Sequence, residues 1–269
     1  MKPLDVLIFT ATCKRDTERF RILHRTRQRF IPEWKHLAVG ARDRPSIDGL
    51  SPAGLMWESV RWDLVCDHEE TRKLALEADA YLVQQITKLY AHWLADDKHD
   101  WLFHLDSDMW FDEHAVKNLY KHHGLWLYDD RPSMLQIWPA QFQWAETNSW
   151  LLGRDVEPRS YMLEQRGWWI NSEVMNALHE RVHRQHGKHL EQLLFENPQR
   201  PFSEYQLYGS FVWHFMRDAH SWLRTDAAIE TLGRAPSSAG HDKPLFVPHW
   251  TSGTEPPPEI ISRWRELVG

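Results

Sequence analysis

Residues 101–111 read WLFHLDSDMWF. The stretch from Trp101 to Leu105, apolar except for His104, runs without a break into Asp106-Ser107-Asp108, and a helical pattern follows from Asp112 to His122. A short, unbroken apolar run is how a strand covered on both faces reads. Strand, acidic end and helix together give the rhythm of an α/β protein. Two carboxylates one residue apart at a strand end can both turn toward a hard divalent cation once the chain leaves the pleat. Oxygen ligands of this kind suit Mg²⁺ or Mn²⁺, and either ion can also grip a diphosphate. The spacing alone is weak, because 19 aspartates in 269 residues yield a D-x-D by chance about once. Its placement adds the weight: ligands of open α/β sheets bind at the carboxyl edge, where this strand delivers the pair. The bland alternative is a solvated cap for the next helix.

Working outward, Leu4 to Thr12 reads as a buried strand after Pro3, and Asp16 to Phe30 as a helix capped by Asp16. A second strand is expected over His36 to Ala41, and an amphipathic helix over Tyr81 to Leu94. Beyond the acidic segment, strands are expected near Met134 to Trp138, at Trp168 to Ile170 and at Phe246-Val247. The stretch between the first two of these reads as a polar and aromatic loop. Helices are expected over Ser172 to Lys188, from Ser203 through Trp213 to Met216, and from Pro256 to Leu267. There is no internal repeat and no linker, so one domain is expected over residues 1–269. G-x-G-x-x-G and G-x-x-x-x-G-K-[ST] are both absent, so a bound nucleotide would be held by another device.

A chain that is 42% hydrophobic and 26% charged can bury one core. Its net charge of −6 argues against coating nucleic acid through overall charge. Cys13 and Cys66 make no disulfide framework or zinc knuckle, and no apolar run is long enough to span a membrane. A reducing, cytoplasmic setting is therefore expected. Sixteen tryptophans favour flat ligands such as sugars or bases.

Other constellations compete with the acidic pair. His179-Glu180-Arg181-Val182-His183 is a formal H-E-x-x-H, with His189 at the offset of a third zinc ligand, and would make a zinc metallohydrolase. Against it, Gly187 sits one place late for the metzincin pattern, and Arg181 and Arg184 place charge where such helices usually carry none. Lys14 to Arg29 carries seven Lys/Arg against two acids, a local +5 in a chain whose remainder is −11, which suits an anionic partner or a solvated face. Glu204 falls in a first helical turn, where a carboxylate is favoured by the dipole and can take a proton from a hydroxyl. Trp168 and Trp169, beside Gly167, suit a sugar subsite or a core. His249 is placed to be a third metal ligand. A non-catalytic, tryptophan-rich module binding carbohydrate or nucleic acid is the remaining class.

Four blocks in order resemble the GT-A-fold glycosyltransferases, in particular small bacterial and phage-type members: Asp5 to Phe30, Gln84 to Leu89 (QQITKL), Trp101 to Phe111, and Phe202 to Gly209 (FSEYQLYG). The resemblance implies a Rossmann-like, mixed and mainly parallel sheet flanked by helices in a single domain, with the donor side in about residues 1–112 and the acceptor side in about 113–269. It implies that Thr10, Thr12 and Asp43 approach the nucleoside and that Gln85 and Lys88 face the donor phosphates. Asp106 and Ser107 would meet the sugar or ribose, and Asp106, Asp108 and His249 would meet Mn²⁺ or Mg²⁺. Glu204 would be the catalytic carboxylate, and Trp168, Trp169 and Tyr205 would line the acceptor. The donor would be a nucleoside-diphosphate sugar, UDP-sugar foremost. The acceptor would be a saccharide, or a hydroxylated base in phage-type DNA.

Overall fold

The computed structural model describes residues 6–40, 55–59, 68–95, 99–132, 135, 139–161, 167–232 and 262. At its centre lie β1 (Val6–Thr12), β2 (Lys35–Gly40), β3 (Leu55–Ser59), β4 (Trp101–His104) and, beyond β5 (Leu125–Tyr128), β6 (Trp168–Asn171). These form one sheet in the order β3-β2-β1-β4-β6, while β5 pairs in parallel with β7 (Ser221–Arg224) in a separate two-stranded sheet. The pairs β1/β2, β2/β3 and β1/β4 are parallel and β4/β6 is antiparallel, so the expected mixed, mainly parallel sheet is observed. All seven residues of β1 are buried, as a central parallel strand requires.

Helices flank this sheet. α1 (Thr17–Phe30) connects β1 to β2, and α2 (Glu69–Glu77), α3 (Ala80–Leu89) and α4 (Ala91–Leu94) precede β4. After β4 come α5 (Glu113–Lys121), α6 (Ala140–Leu152), α7 (Ser172–His186), α8 (Leu190–Glu196), α9 (Glu204–Phe215) and α10 (Thr225–Leu232). Successive side chains of β4 serve opposite faces. Phe103 packs on Trp34 and Trp169, and Trp34 in turn on Tyr120 of α5, whereas His104 meets Tyr205 of α9. One continuous apolar cluster links β1 and β4 to α7 and α9.

Several expectations need correction. The helix expected over Tyr81 to Leu94 is two helices, interrupted at Tyr90, whose hydroxyl is drawn to Glu191 of α8. The supposed loop after Trp138 contains α6, thirteen residues long and ended by Gly153 in the left-handed region. It turns polar residues inward, where Gln141 Nε2 donates to Ser160 and Asn148 Nδ2 to Ser210, so no clean apolar stripe marks it. Asp16 flanks α1 without a capping side-chain bond, whereas Asp112 caps α5 at Ala115 N. Most of the strand expected at Met134 to Trp138 lies outside the described residues, and Leu135 within it is helical. Phe246-Val247 and the tail helix, apart from Ser262, also lie outside them.

Gly209, in the middle of α9, is required by packing. A Cβ there would sit 2.5 Å from the Tyr161 ring. Alanine would gain about 1 kcal/mol of helix propensity, but forcing apart a close-packed contact costs about 1–3 kcal/mol. Gly209→Ala is therefore expected to lower stability in urea unfolding, and a stabilised variant would contradict the packing described.

Candidate active site

β1 and β4 run parallel and end at the same edge, where Leu105 N donates to Phe9 O at 2.9 Å. The chain then turns, with Met109 N donating to Asp106 O, and Asp106-Ser107-Asp108 occupy that edge. α3 is tied to the end of β1 by Gln84 Nε2, which donates to Ala11 O at 3.2 Å. Gln85 follows at once, and Lys88, three residues beyond it, falls on the same side of α3 one turn later. α9 brings Glu204 in its first turn.

These three elements meet in one hydrogen-bonded unit. The Lys88 ammonium donates to Asp106 Oδ1 at 2.7 Å and to Glu204 Oε1 at 2.8 Å. Gln85 Nε2 donates to Glu204 Oε2 at 3.1 Å and to Phe202 O at 3.0 Å. Lys88 also sits 4.9 Å above the Tyr205 ring, and that ring stacks on Trp168 with centroids 3.7 Å apart. Lys88 and Glu204 are buried, while the Asp106 side chain keeps 34% of its surface exposed, so the unit opens to solvent on the acidic side.

Burial alone would discharge Lys88, but Asp106 and Glu204 outweigh it and hold the ammonium well above the ordinary lysine range. Asp108 shows the opposite stress. Burial, and then the charge of Asp106 beside it, lift its carboxyl to about 7, with Arg19 pulling the other way. A hard divalent cation shared by the two carboxylates would relieve that repulsion. Thr12 Oγ1, Trp168 Nε1 and both ring nitrogens of His104 are buried without hydrogen-bond partners, in a fold where such atoms are normally paired. Among the described residues no further His, Cys, Asp or Glu completes a three-ligand group. A cation held by two carboxylates, with a diphosphate and water as its other ligands, matches how Mg²⁺ and Mn²⁺ are commonly bound. The residues present therefore fit such an ion.

The structure thus gathers Gln85, Lys88, Asp106, Glu204, Tyr205 and Trp168, with the buried Ser107 in the connecting turn. Thr12 ends β1 at this edge. Thr10 lies deeper and is committed elsewhere, its hydroxyl 3.0 Å from His36 Nε2. Trp169 is separated from the site by the sheet: it is fully buried among Trp34, Phe103 and His123, a core residue rather than a sugar platform. Asp43 and His249 lie outside the described residues. Reading the sequence missed His104 and Gln84. Strand alternation was the available clue for His104, since it puts that side chain on the face of β4 opposite the core residue Phe103.

The competing motifs fare differently. His179 turns inward, its Nε2 3.0 Å from Leu89 O and its ring against Tyr90 and Trp93, while His183 is exposed and stacks on His189. Among the described residues the two histidines of H-E-x-x-H therefore have separate environments and share no metal-binding group. In the basic helix, Arg27 is buried and donates to Pro32 O and Trp34 O, so it is scaffold, whereas Arg21 pairs with Glu18 on the surface.

No protein-family model matches the chain, and no curated protein matches it. Several solved structures align with it at low identity. The galactosyltransferase LgtC, in an active-site mutant form, aligns with a TM-score of 0.48 at 11% identity over 98% of this chain and 95% of that one. Core-mannan synthase A of Aspergillus fumigatus, in an Mn/GDP form, aligns at 0.46 and 8% identity over 82% and 73%. Mouse xyloside xylosyltransferase 1 aligns at 0.43 and 11% over 84% and 86%. The chemistry of the site is accordingly read from its own residues.

Proposed function

We propose that the chain is a metal-dependent glycosyltransferase that moves a sugar from a nucleoside-diphosphate sugar, UDP-sugar foremost, to an acceptor hydroxyl. The observation that carries the reading is the buried Lys88 bridge between Asp106 and Glu204 at the carboxyl ends of β1 and β4, with the strained Asp108 beside it. One fixed cation and two hard carboxylates at this edge match the needs of a leaving diphosphate. A saccharide acceptor is preferred to a hydroxylated base in DNA. Among the described residues no helix is long and apolar enough to cross a membrane. We place the reaction in the cytoplasm.

Asp106 and Asp108 would hold Mn²⁺ or Mg²⁺, with His249 as a further candidate ligand. When bound, that ion would neutralise charge developing on the diphosphate oxygens. Lys88, held by two carboxylates over the Tyr205 ring, supplies a second positive charge at this edge. Both oxygens of Glu204 are engaged, so it first of all holds Lys88 and Gln85 in place. In an inverting reaction it would exchange one of these bonds for the acceptor hydroxyl and take its proton, and in a retaining one it would orient substrate.

The test is a thermal melt of wild type and Asp108→Asn with Mn²⁺, Zn²⁺, UDP, GDP and CDP, singly and in pairs, followed by UDP-release assays with sugar donors. Ligand at 100 times its Kd stabilises by about 2.7 kcal/mol. The expected result is a shift that needs both Mn²⁺ and one nucleoside diphosphate and is lost in Asp108→Asn. A shift with Zn²⁺ alone, indifferent to Asp108, would overturn the reading.

A further inference from the structure

Lys88 does more than wait for a phosphate. Its Nζ lies 2.7 Å from Asp106 Oδ1, the distance of a charge-assisted hydrogen bond. A divalent cation ligated through that same oxygen would bring two positive centres onto one atom. The lysine cannot simply swing into water. Its side chain is 7% exposed, and its remaining contacts are the Glu204 carboxylate at 2.8 Å and the Tyr205 ring at 4.9 Å. Glu204 is itself pinned by Gln85, so the ammonium is held on that side by an anchored carboxylate.

We propose that Lys88 acts as a stand-in cation at Asp106, which makes a divalent metal and a nucleoside diphosphate bind synergistically rather than independently; this rests on the transferase reading above. Without nucleotide, the metal must compete with an ammonium that has nowhere better to go. A diphosphate arriving at the edge offers Lys88 a new anionic partner and brings further oxygen ligands for the metal, so Asp106 is released as the ion enters. Coupling of this kind is reciprocal: the factor by which nucleotide tightens metal equals the factor by which metal tightens nucleotide. Removing the lysine charge should abolish much of the coupling by making the metal site good on its own. Loss of a mere structural lysine would weaken every ligand instead.

The experiment measures Mn²⁺ binding by the free-ion EPR signal and by calorimetry, alone and with UDP, GDP or CDP. It uses wild type and two variants, Lys88→Met and Lys88→Gln, the second retaining a neutral donor toward Asp106 should the first fail to fold. Wild type is expected to bind Mn²⁺ at least tenfold more tightly with its preferred nucleotide than without. The variants are expected to bind Mn²⁺ alone at least tenfold more tightly than wild type does, with the nucleotide enhancement reduced to threefold or less. If a folded variant binds Mn²⁺ alone no better than wild type and keeps the full enhancement, the Lys88 inference is overturned while the transferase reading stands. If wild type binds none of the three nucleotides with or without Mn²⁺, both fall together.

Discussion

Acidification below about pH 6.5 is expected to unfold the protein cooperatively, with several protons taken up in the transition. The cause is a set of imidazoles buried in neutral form. Burial pushes His92 down to about 3 and His179 and His220 to about 4, and it holds His36 and His104 well below the ordinary range. Each folded-state value lies below the unfolded one, so the stability these groups contribute is intact above about pH 6.5 and is lost as the pH falls toward the folded values. In that window the unfolded chain binds a proton at each site and the native one does not. Each contributes a slope of about 1.4 kcal/mol per pH unit.

Asp108 opposes them. Its carboxyl is raised to about 7, so between about pH 7 and 4 the native state takes up a proton that the unfolded state does not, and folding gains as the pH falls. Five sites against one leave a net of roughly four protons, or about 5 kcal/mol per pH unit near pH 5. Against a total stability of about 5–15 kcal/mol, the fold should be lost within one to three units below pH 6.5. Urea unfolding followed by tryptophan fluorescence from pH 7.5 to 4.5 measures the slope directly. A flat profile between pH 6.5 and 5 would mean that these imidazoles are not buried as neutral groups. The environments are specific: His179 faces the Leu89 carbonyl, and His220 lies between the Tyr208 hydroxyl and Gly124 O.

The part of the molecule that carries the proposed chemistry could be read from residue order because it is built from buried parallel strands and short sequence blocks. β1 and β4 are continuous apolar runs, and such runs announce themselves. Asp106 stands out through its pairing with Asp108 and Glu204 through its first helical turn, while Gln85 and Lys88 enter only through the family resemblance, and no spacing rule puts residue 88 within hydrogen-bond reach of residue 204. That contact depends on α3 and α9 packing against the same face of the sheet, which is a property of the whole fold. What escaped reading escaped for physical reasons. The β5/β7 pair joins segments 96 residues apart, Leu125 opposite Ser221, and neither strand is longer than four residues. α6 mixes aromatic and amide side chains around its circumference and buries some of each kind, so it shows no stripe. The break at Tyr90 leaves no mark in the residue pattern, and the hydroxyl of that residue meets Glu191 a hundred residues on.

Trp169→Ala is expected to be among the most damaging single substitutions, and its contrast with the adjacent Trp168 tests the division of labour across the sheet. β6 lies antiparallel to β4 with Trp169 opposite Phe103 and Trp168 opposite His104, so the two indoles of a consecutive pair leave by opposite faces. Trp169 meets Trp34 edge-on at 5.8 Å, Phe103 at 4.7 Å and His123 at 4.3 Å, and its carbonyl accepts from Trp126 Nε1 at 2.6 Å. Truncation to alanine removes this junction of β4, β6 and the Trp34 side of the core and leaves a cavity. Losses of about 3–5 kcal/mol are usual for such changes, enough to take a third or more of a typical domain's stability. The melt should show a large drop in Tm that Mn²⁺ and nucleotide do not abolish, since no ligand contact is involved. Trp168→Phe, which keeps an aromatic face against Tyr205, should retain most of the stability. Equal destabilisation by the two substitutions, or none by Trp169→Ala, would mean that the faces of β6 are not divided between core and site in this way.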